Sequence, residues 1–187
     1  MEELTINYNQ FEVENGGSRS CMASAMCFAR LFLDGDVGTE DLERILQAGA
    51  ALYNRWSTNN ETANLQYWTS VTGTFPAFLR GVECTFETNG FFDGENSDVT
   101  SSFDTVLEKL SSSGSRCGGV LTCENSSYSL CYDGGSYYYL FDSHGLEGGG
   151  AYVRRSKDPS MLKFFILTEL VYNKSSEFSC VLFGKEA

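Results

Sequence analysis

The stretch GGVLTCENSSYSLCYDGGSYYYLFDSHG, residues 118–145, decides the fold class. Its apolar residues, rich in Tyr, Leu, Val and Cys, fall into three runs of strand length. ENSS breaks the first from the second, and DGG breaks the second from the third, with Asp133 and Gly134 suited to a tight hairpin turn. Three consecutive short strands joined by turns of this length predict an antiparallel sheet.

Upstream of this sheet the period is helical. Ser101, with Asp104 three residues on, resembles a capping box opening a short helix through Phe103, Val106, Leu107 and Leu110. Residues 57–100 are rich in Asn, Thr and Gly, and predict one short helix near Glu61 to Val71 followed by irregular or hairpin structure. In TEDLERILQAGAALYNRW, residues 39–56, the positions Leu42, Ile45, Leu46, Gly49, Leu52, Tyr53 and Trp56 follow the i, i+3, i+4, i+7 spacing of an amphipathic helix. Thr39 is its expected N-cap, with acids in the first turn. Met22 to Leu33 is apolar on nearly every side, as a helix buried within a domain is. Residues 1–20 lack a clear period and read as an extended arm or loop.

Downstream, Asp158 and Pro159 open a helix through Met161, Leu162, Phe165 and Leu170, and FSCVLF, residues 178–183, supplies a final strand. Helices followed by a sheet predict an α+β class. The 187 residues suit one domain, 1–187: an arm over 1–20, a mainly helical part over 21–112, and a mainly antiparallel sheet with one helix over 113–187.

Thirteen basic against 25 acidic residues leave a net charge of −12, which repels phosphate backbones and anionic membranes and favours a basic partner. Nucleic-acid binding is therefore not expected, and no apolar run approaches the length of a membrane span. Seven cysteines without a C-x-x-C pair, behind a polar and acidic first 20 residues, point to free thiols in a reducing intracellular compartment, cytoplasm or nucleus.

One of these cysteines stands apart. In GGSRSCMASAMCFARLF, residues 16–32, Cys21 follows a plausible Ser20 N-cap, so backbone N–H groups and the helix dipole favour its thiolate. Cys27 falls two turns into the buried helix, Cys123, Cys131 and Cys180 lie in apolar strands, and Cys84 and Cys117 flank loops; all six read as packing or inert thiols. A cysteine nucleophile needs a base, and the single histidine, His144, is the one candidate. In FDSHG, residues two apart on an extended strand share a face, so Asp142 stands beside His144 and can orient its imidazole. An oxyanion needs donors: the Cys21 N–H is one, and a side-chain amide of the arm, Gln10, Asn9 or Asn7, is the other. The chemistry these residues support is acyl transfer through a thioester. His144 takes the Cys21 proton, the thiolate attacks an amide carbonyl, His144 protonates the leaving amine, and water releases the acyl-enzyme. No metal or cofactor is required.

With these residues in view, the chain resembles the deubiquitinase domain of herpesvirus large tegument proteins and the related tegument-like deubiquitinases of cellular organisms and bacteria. Four pieces carry the resemblance: the NQF arm at residues 9–11, the helix start at 16–32, DLERILQAGAALY at 41–53, and YYYLFDSHG at 137–145. Ser20 stands where the viral members often carry Gln, and Ser143 where they carry Pro. The resemblance implies a papain-like cysteine protease fold, a central buried helix packed on an antiparallel sheet. It also implies roles: Cys21 as nucleophile, His144 as general base, Asp142 as its orienting acid and Gln10 as oxyanion donor. The implied substrate is the isopeptide bond after the C-terminal glycine of ubiquitin or polyubiquitin, and the enzyme is expected to act as a monomer. Glu83, Glu87, Asp93, Glu95, Asp98 and Asp104 then form either part of the ubiquitin contact or a solvated acidic loop. Two other readings use the same residues: a papain-like protease for a ubiquitin-like modifier or other peptide, and a catalytically inactive ubiquitin-binding module.

Overall fold

The computed structural model describes residues 1–14, 17–59, 80–92, 102–172 and 177–187. Seven strands form one sheet, in which every neighbouring pair is antiparallel. They are β1 (Glu2–Thr5), β2 (Val82–Phe91), β3 (Arg116–Cys123), β4 (Ser126–Asp133), β5 (Tyr138–Asp142), β6 (Tyr152–Ser156) and β7 (Glu177–Lys185), arranged in the order β1-β6-β5-β4-β3-β7-β2. The helices are α1 (Cys21–Asp34), α2 (Thr39–Asn59), α3 (Phe103–Ser112) and α4 (Pro159–Phe165), the last continued by a π turn over Ile166–Leu170. The mixed helix and antiparallel-sheet class read from the sequence holds.

The three strands expected from 118–145 are β3, β4 and β5. Glu124 and Asn125 close the first hairpin with positive φ of 49° and 66°, the turn whose twist matches that of its strands. At the second, the Asp133 carboxylate accepts the N–H groups of Gly135, Ser136 and Tyr137 at 2.8, 2.8 and 3.0 Å.

The period of two sorts the sheet into two cores. Along β7, Phe178, Cys180 and Leu182 face one layer while Val181 and Phe183 face the other. α1 and α2 cover one face, where Phe28 stacks on Phe141 with ring centroids 4.6 Å apart and planes 4° from parallel. α3, α4 and the π turn cover the opposite face around Phe103, Leu110, Leu162 and Ile166, all fully buried. α1 is apolar on nearly every side because it lies between the sheet and α2. Small residues set how closely it approaches: the Ser129 hydroxyl on β4 donates to the Ala25 carbonyl at 2.5 Å. Gly49 of α2 meets Ser24 of α1, and a Cβ there would stand 2.2 Å from the Ser24 hydroxyl.

Three strands carry no legible period. β1 was read as part of an extended arm, but it pairs along β6 with all four side chains exposed, helped by Glu2–Arg155 and Glu3–Arg154 ion pairs. β2, expected as irregular or hairpin structure, is a ten-residue edge strand on β7 with mostly exposed side chains and a bulge between Cys84 and Phe86. β6 carries two arginines in five residues, and their guanidinium groups cover aromatic rings, Arg154 over Phe165 at 4.0 Å and Arg155 over Tyr137 at 4.7 Å. Cys84 and Cys117 accordingly lie within β2 and β3 rather than beside loops.

Two caps also differ from expectation. The helix around Leu107 is capped by Ser102, whose hydroxyl accepts the Thr105 N–H at 3.3 Å, one residue after the expected Ser101. Thr39 is already helical, and Asp41 reaches back to accept the Gly38 N–H at 2.9 Å. The helix expected near Glu61 to Val71 and the side chain of Trp56 lie outside the described residues.

Candidate active site

Cys21 is the first residue of α1. Ser20 occupies the N-cap position but does not cap with its side chain: its hydroxyl donates to the Gly17 carbonyl at 2.7 Å. The first-turn N–H groups are therefore not taken by a side-chain oxygen, and that of Met22 reaches the Cys21 sulfur. A second backbone donor comes from Ser127 on β4.

His144 follows the end of β5, with its side chain 18% exposed, and Asp142 is the last residue of that strand, 2% exposed. The extended D-x-H alternation expected from the sequence stops at Asp142: residues 143 and 144 bend, and a turn closed on the Asp142 carboxylate brings the two side chains together. The imidazole Nδ1 and an Asp142 carboxylate oxygen stand 2.6 Å apart, and the same oxygen accepts the backbone N–H of His144 at 2.8 Å. The imidazole is also hydrogen-bonded to the Cys21 thiol. The rings of Phe11 and Tyr128 flank His144 at centroid distances of 5.9 and 5.7 Å.

The electrostatics of the pair run in opposite directions on the two groups. Burial opposes the Cys21 thiolate, but the hydrogen bond and charge of His144, with the Ser127 and Met22 N–H groups, outweigh it and hold the thiol pKa below its ordinary value. Burial likewise opposes the imidazolium, and the hydrogen bonds of Asp142 and Cys21 outweigh it, raising His144 to about 10. The two shifts agree: each partner stabilises the charged form of the other. Elsewhere burial dominates, pushing Cys27 and Cys123 up to about 12 and Cys117 to about 11, and raising Cys131 and Cys180 further. All seven cysteines are free.

The arm runs along residues 143–151. The Ile6 N–H donates to the Ala151 carbonyl at 3.1 Å and the Ala151 N–H to the Tyr8 carbonyl at 2.8 Å. Gln10 is 1% exposed and tied to Ser143, the residue between Asp142 and His144. Its N–H donates to the Ser143 carbonyl at 2.9 Å, and its side-chain oxygen accepts the Ser143 hydroxyl at 2.6 Å. Asn9 serves the turn itself: its side-chain oxygen accepts the Phe11 N–H, its amide donates to the Gly149 carbonyl, and Glu12 completes a capping box. Asn7 is exposed.

Beyond His144 the chain reverses tightly. Gly145 has φ +77°, and a Cβ there would stand 2.1 Å from the Gly149 carbonyl, so only glycine fits. Of the acidic residues singled out, Glu83 and Glu87 are exposed on β2, the outer edge strand on the far side of β3 and β7 from β4. Asp104 pairs with Lys163 at 2.7 Å, and Asp93, Glu95 and Asp98 lie outside the described residues. Sequence reasoning missed Ser127, Ser143, Phe11, Tyr128 and Tyr152 around the site; only Tyr128 carried a signal, as a strand residue in step with buried neighbours.

No protein-family model matches the sequence, and no curated protein matches it. Among solved structures the chain is similar to the ubiquitin-specific protease encoded by a murine cytomegalovirus tegument protein, crystallised in complex with a ubiquitin-based suicide substrate. The TM-score is 0.75 at 15% sequence identity, over 100% of this chain and 88% of that one. The helices and seven-stranded antiparallel sheet described above are therefore arranged in the fold of that viral protease.

Proposed function

We propose that this chain is a thiol-dependent deubiquitinase of papain-like design that cleaves the isopeptide bond after the C-terminal glycine of ubiquitin. The observation that carries the reading is the unbroken link from the Cys21 thiol through the His144 imidazole to the Asp142 carboxylate, at a helix N-terminus in this fold. Cys21 is the nucleophile, already favouring its thiolate; His144 carries the proton to the leaving lysine amine; Asp142 fixes the Nδ1–H tautomer. Gln10 is the side-chain donor to the oxyanion, favoured over Asn9, whose polar atoms are engaged by the turn, and over the exposed Asn7. The acidic surface suits a basic partner such as the ubiquitin tail.

The test is reaction with ubiquitin carrying a C-terminal electrophile. The wild-type chain forms a covalent adduct on Cys21 and Cys21→Ala forms none. Adduct on another cysteine, or on the Cys21→Ala protein, overturns the assignment; selective reaction with a ubiquitin-like modifier instead reassigns the substrate.

A further inference from the structure

Asp142 on β5 and Tyr152 on β6 are directly opposite in the ladder, so their side chains share one face of the sheet. Tyr152 is 3% exposed, and its hydroxyl has no hydrogen-bond partner among the described residues. It lies beside the Asp142 carboxylate, where burial, that negative charge and a hydrogen-bonding contact to the carboxylate suppress its ionisation, although the contact is too loose to meet full hydrogen-bond geometry. The ring is held in place, edge-on to Phe165 at 6.1 Å and beneath the Arg154 guanidinium at 5.5 Å. Tyr128, the other tyrosine at the site, differs because its hydroxyl is engaged by Ser126.

A buried hydroxyl without a well-formed hydrogen bond is destabilising, so its retention beside a carboxylate calls for a use. The reaction supplies one. While His144 is an imidazolium, the Asp142 oxygen that accepts both His144 N–H groups faces a full positive charge. When His144 passes its proton to the leaving amine, that charge disappears and a nearly inaccessible carboxylate is left with neutral donors alone. We propose that Tyr152 is a positioning residue of this catalytic unit, its hydroxyl donating to the Asp142 carboxylate in the states where His144 is neutral. Closing that bond takes a local side-chain adjustment, with the β5–β6 ladder unchanged. By stabilising the carboxylate next to neutral imidazole, the hydroxyl makes His144 a readier proton donor. The inference rests on the Cys/His/Asp reading above and not on the identity of the acyl group.

His144 is the only histidine, so its ring gives one unambiguous NMR titration. The titratable or charged groups that face the His144–Asp142 pair are Cys21 from α1, Tyr128 from β4, and Tyr152 and Arg154 from β6; Gln10 and Phe11 from the arm do not titrate. Titration is read in Cys21→Ala protein, which removes the coupled thiolate. Tyr152→Phe is expected to raise the proton affinity of His144 about threefold to tenfold, the effect of one ordinary hydrogen bond. Site-specific 3-fluorotyrosine at position 152, a stronger donor, is expected to lower it. In an Asp142→Asn background neither change moves the titration. In the active protein, Tyr152→Phe lowers kcat by a similar factor with KM unchanged and moves the alkaline limb of the kcat profile upward.

An unmoved His144 titration in both tyrosine variants overturns the inference, as does an equal shift in the Asp142→Asn background. Should Tyr152→Phe fail to fold, the fluorotyrosine protein decides alone, since it keeps the ring and its contacts. The titration needs no substrate. A chain that ignores ubiquitin electrophiles but shows the shift loses only its assigned substrate; one that hydrolyses ubiquitin without the shift loses only the role of Tyr152.

Discussion

Gln10 and Ser143 are joined twice, by the Gln10 N–H on the Ser143 carbonyl at 2.9 Å and by the Ser143 hydroxyl on the Gln10 side-chain oxygen at 2.6 Å. Ser143 is also the residue between the acid and the base. The loop that presents His144 therefore sets the orientation of the proposed oxyanion donor, and the two halves of the site move together.

Removing Gln10 and loosening it should thus differ in degree. Gln10→Ala is expected to lower kcat for hydrolysis of a ubiquitin C-terminal amide about a hundredfold, the usual effect of losing one oxyanion donor. Ser143→Ala keeps the carboxamide but frees it, and a drop of about tenfold is expected. In the double variant the Ser143 change adds little, because its effect passes through Gln10. Binding of unmodified ubiquitin to Cys21→Ala protein should be unaffected by either substitution.

Thiol reactivity should separate Cys21 from the other six. With its pKa lowered by His144 and backbone donors against the opposing effect of burial, Cys21 keeps a larger thiolate fraction at a given pH than an ordinary thiol. Limiting iodoacetamide near pH 7, followed by peptide mapping, is expected to label Cys21 alone. Cys84 is exposed, but its thiol is raised, by burial first, so its labelling should appear only as the pH climbs. The Cys21 rate should fall as the pH drops through its lowered pKa.

Asp142→Asn tests the other end of the pair. His144 is held near 10, against the opposing effect of burial, by its hydrogen bonds with Asp142 and Cys21. Without the carboxylate the imidazolium loses protons at lower pH, the thiolate loses its partner, and the Cys21 pKa climbs back. Alkylation of Cys21 at pH 7 should slow by about tenfold or more, and hydrolysis by more again, since an amide N–H at that position can donate to Nδ1 and so permits the wrong imidazole tautomer.

The site was legible because its signals are local. Cys21 after Gly17, Arg19 and Ser20, and Asp142 two residues before a solitary His144, are patterns within one turn or one strand. The same holds for β3, β4 and β5, each with one apolar face against a helix layer. What stayed hidden depends on long-range pairing. β1 and β2 are edge strands whose side chains are mostly solvated, so no alternation marks them, and only the ladders with β6 and β7 define them. β6 reads as charged because Arg154 and Arg155 bury their stems against aromatic rings contributed from elsewhere in the chain. The Ser127 N–H at the Cys21 sulfur is a backbone group, which no side-chain pattern announces.

Packing between α1 and α2 should reach Cys21 as well. A Cβ on Gly49 would stand 2.2 Å from the Ser24 hydroxyl and 2.7 and 2.8 Å from the Ser24 Cα and N, and Ser24 is one turn from Cys21. In a helix interior Ala is worth about 1 kcal/mol over Gly, but forcing a methyl into a closed contact costs about 1–3 kcal/mol, so the net is destabilising. Gly49→Ala is expected to lower Tm by several degrees and to slow Cys21 alkylation, because the cheapest relief is to slide α1 along the sheet. Ser24→Ala alone removes a buried hydroxyl with no partner among the described residues and should leave Tm unchanged or slightly raised. Combining the two should restore only part of the loss, since the Ser24 backbone atoms remain in the way. Full recovery in the double variant, read by Tm and by the Cys21 alkylation rate together, would mean that the hydroxyl alone sets the helix spacing and that the backbone contact does not.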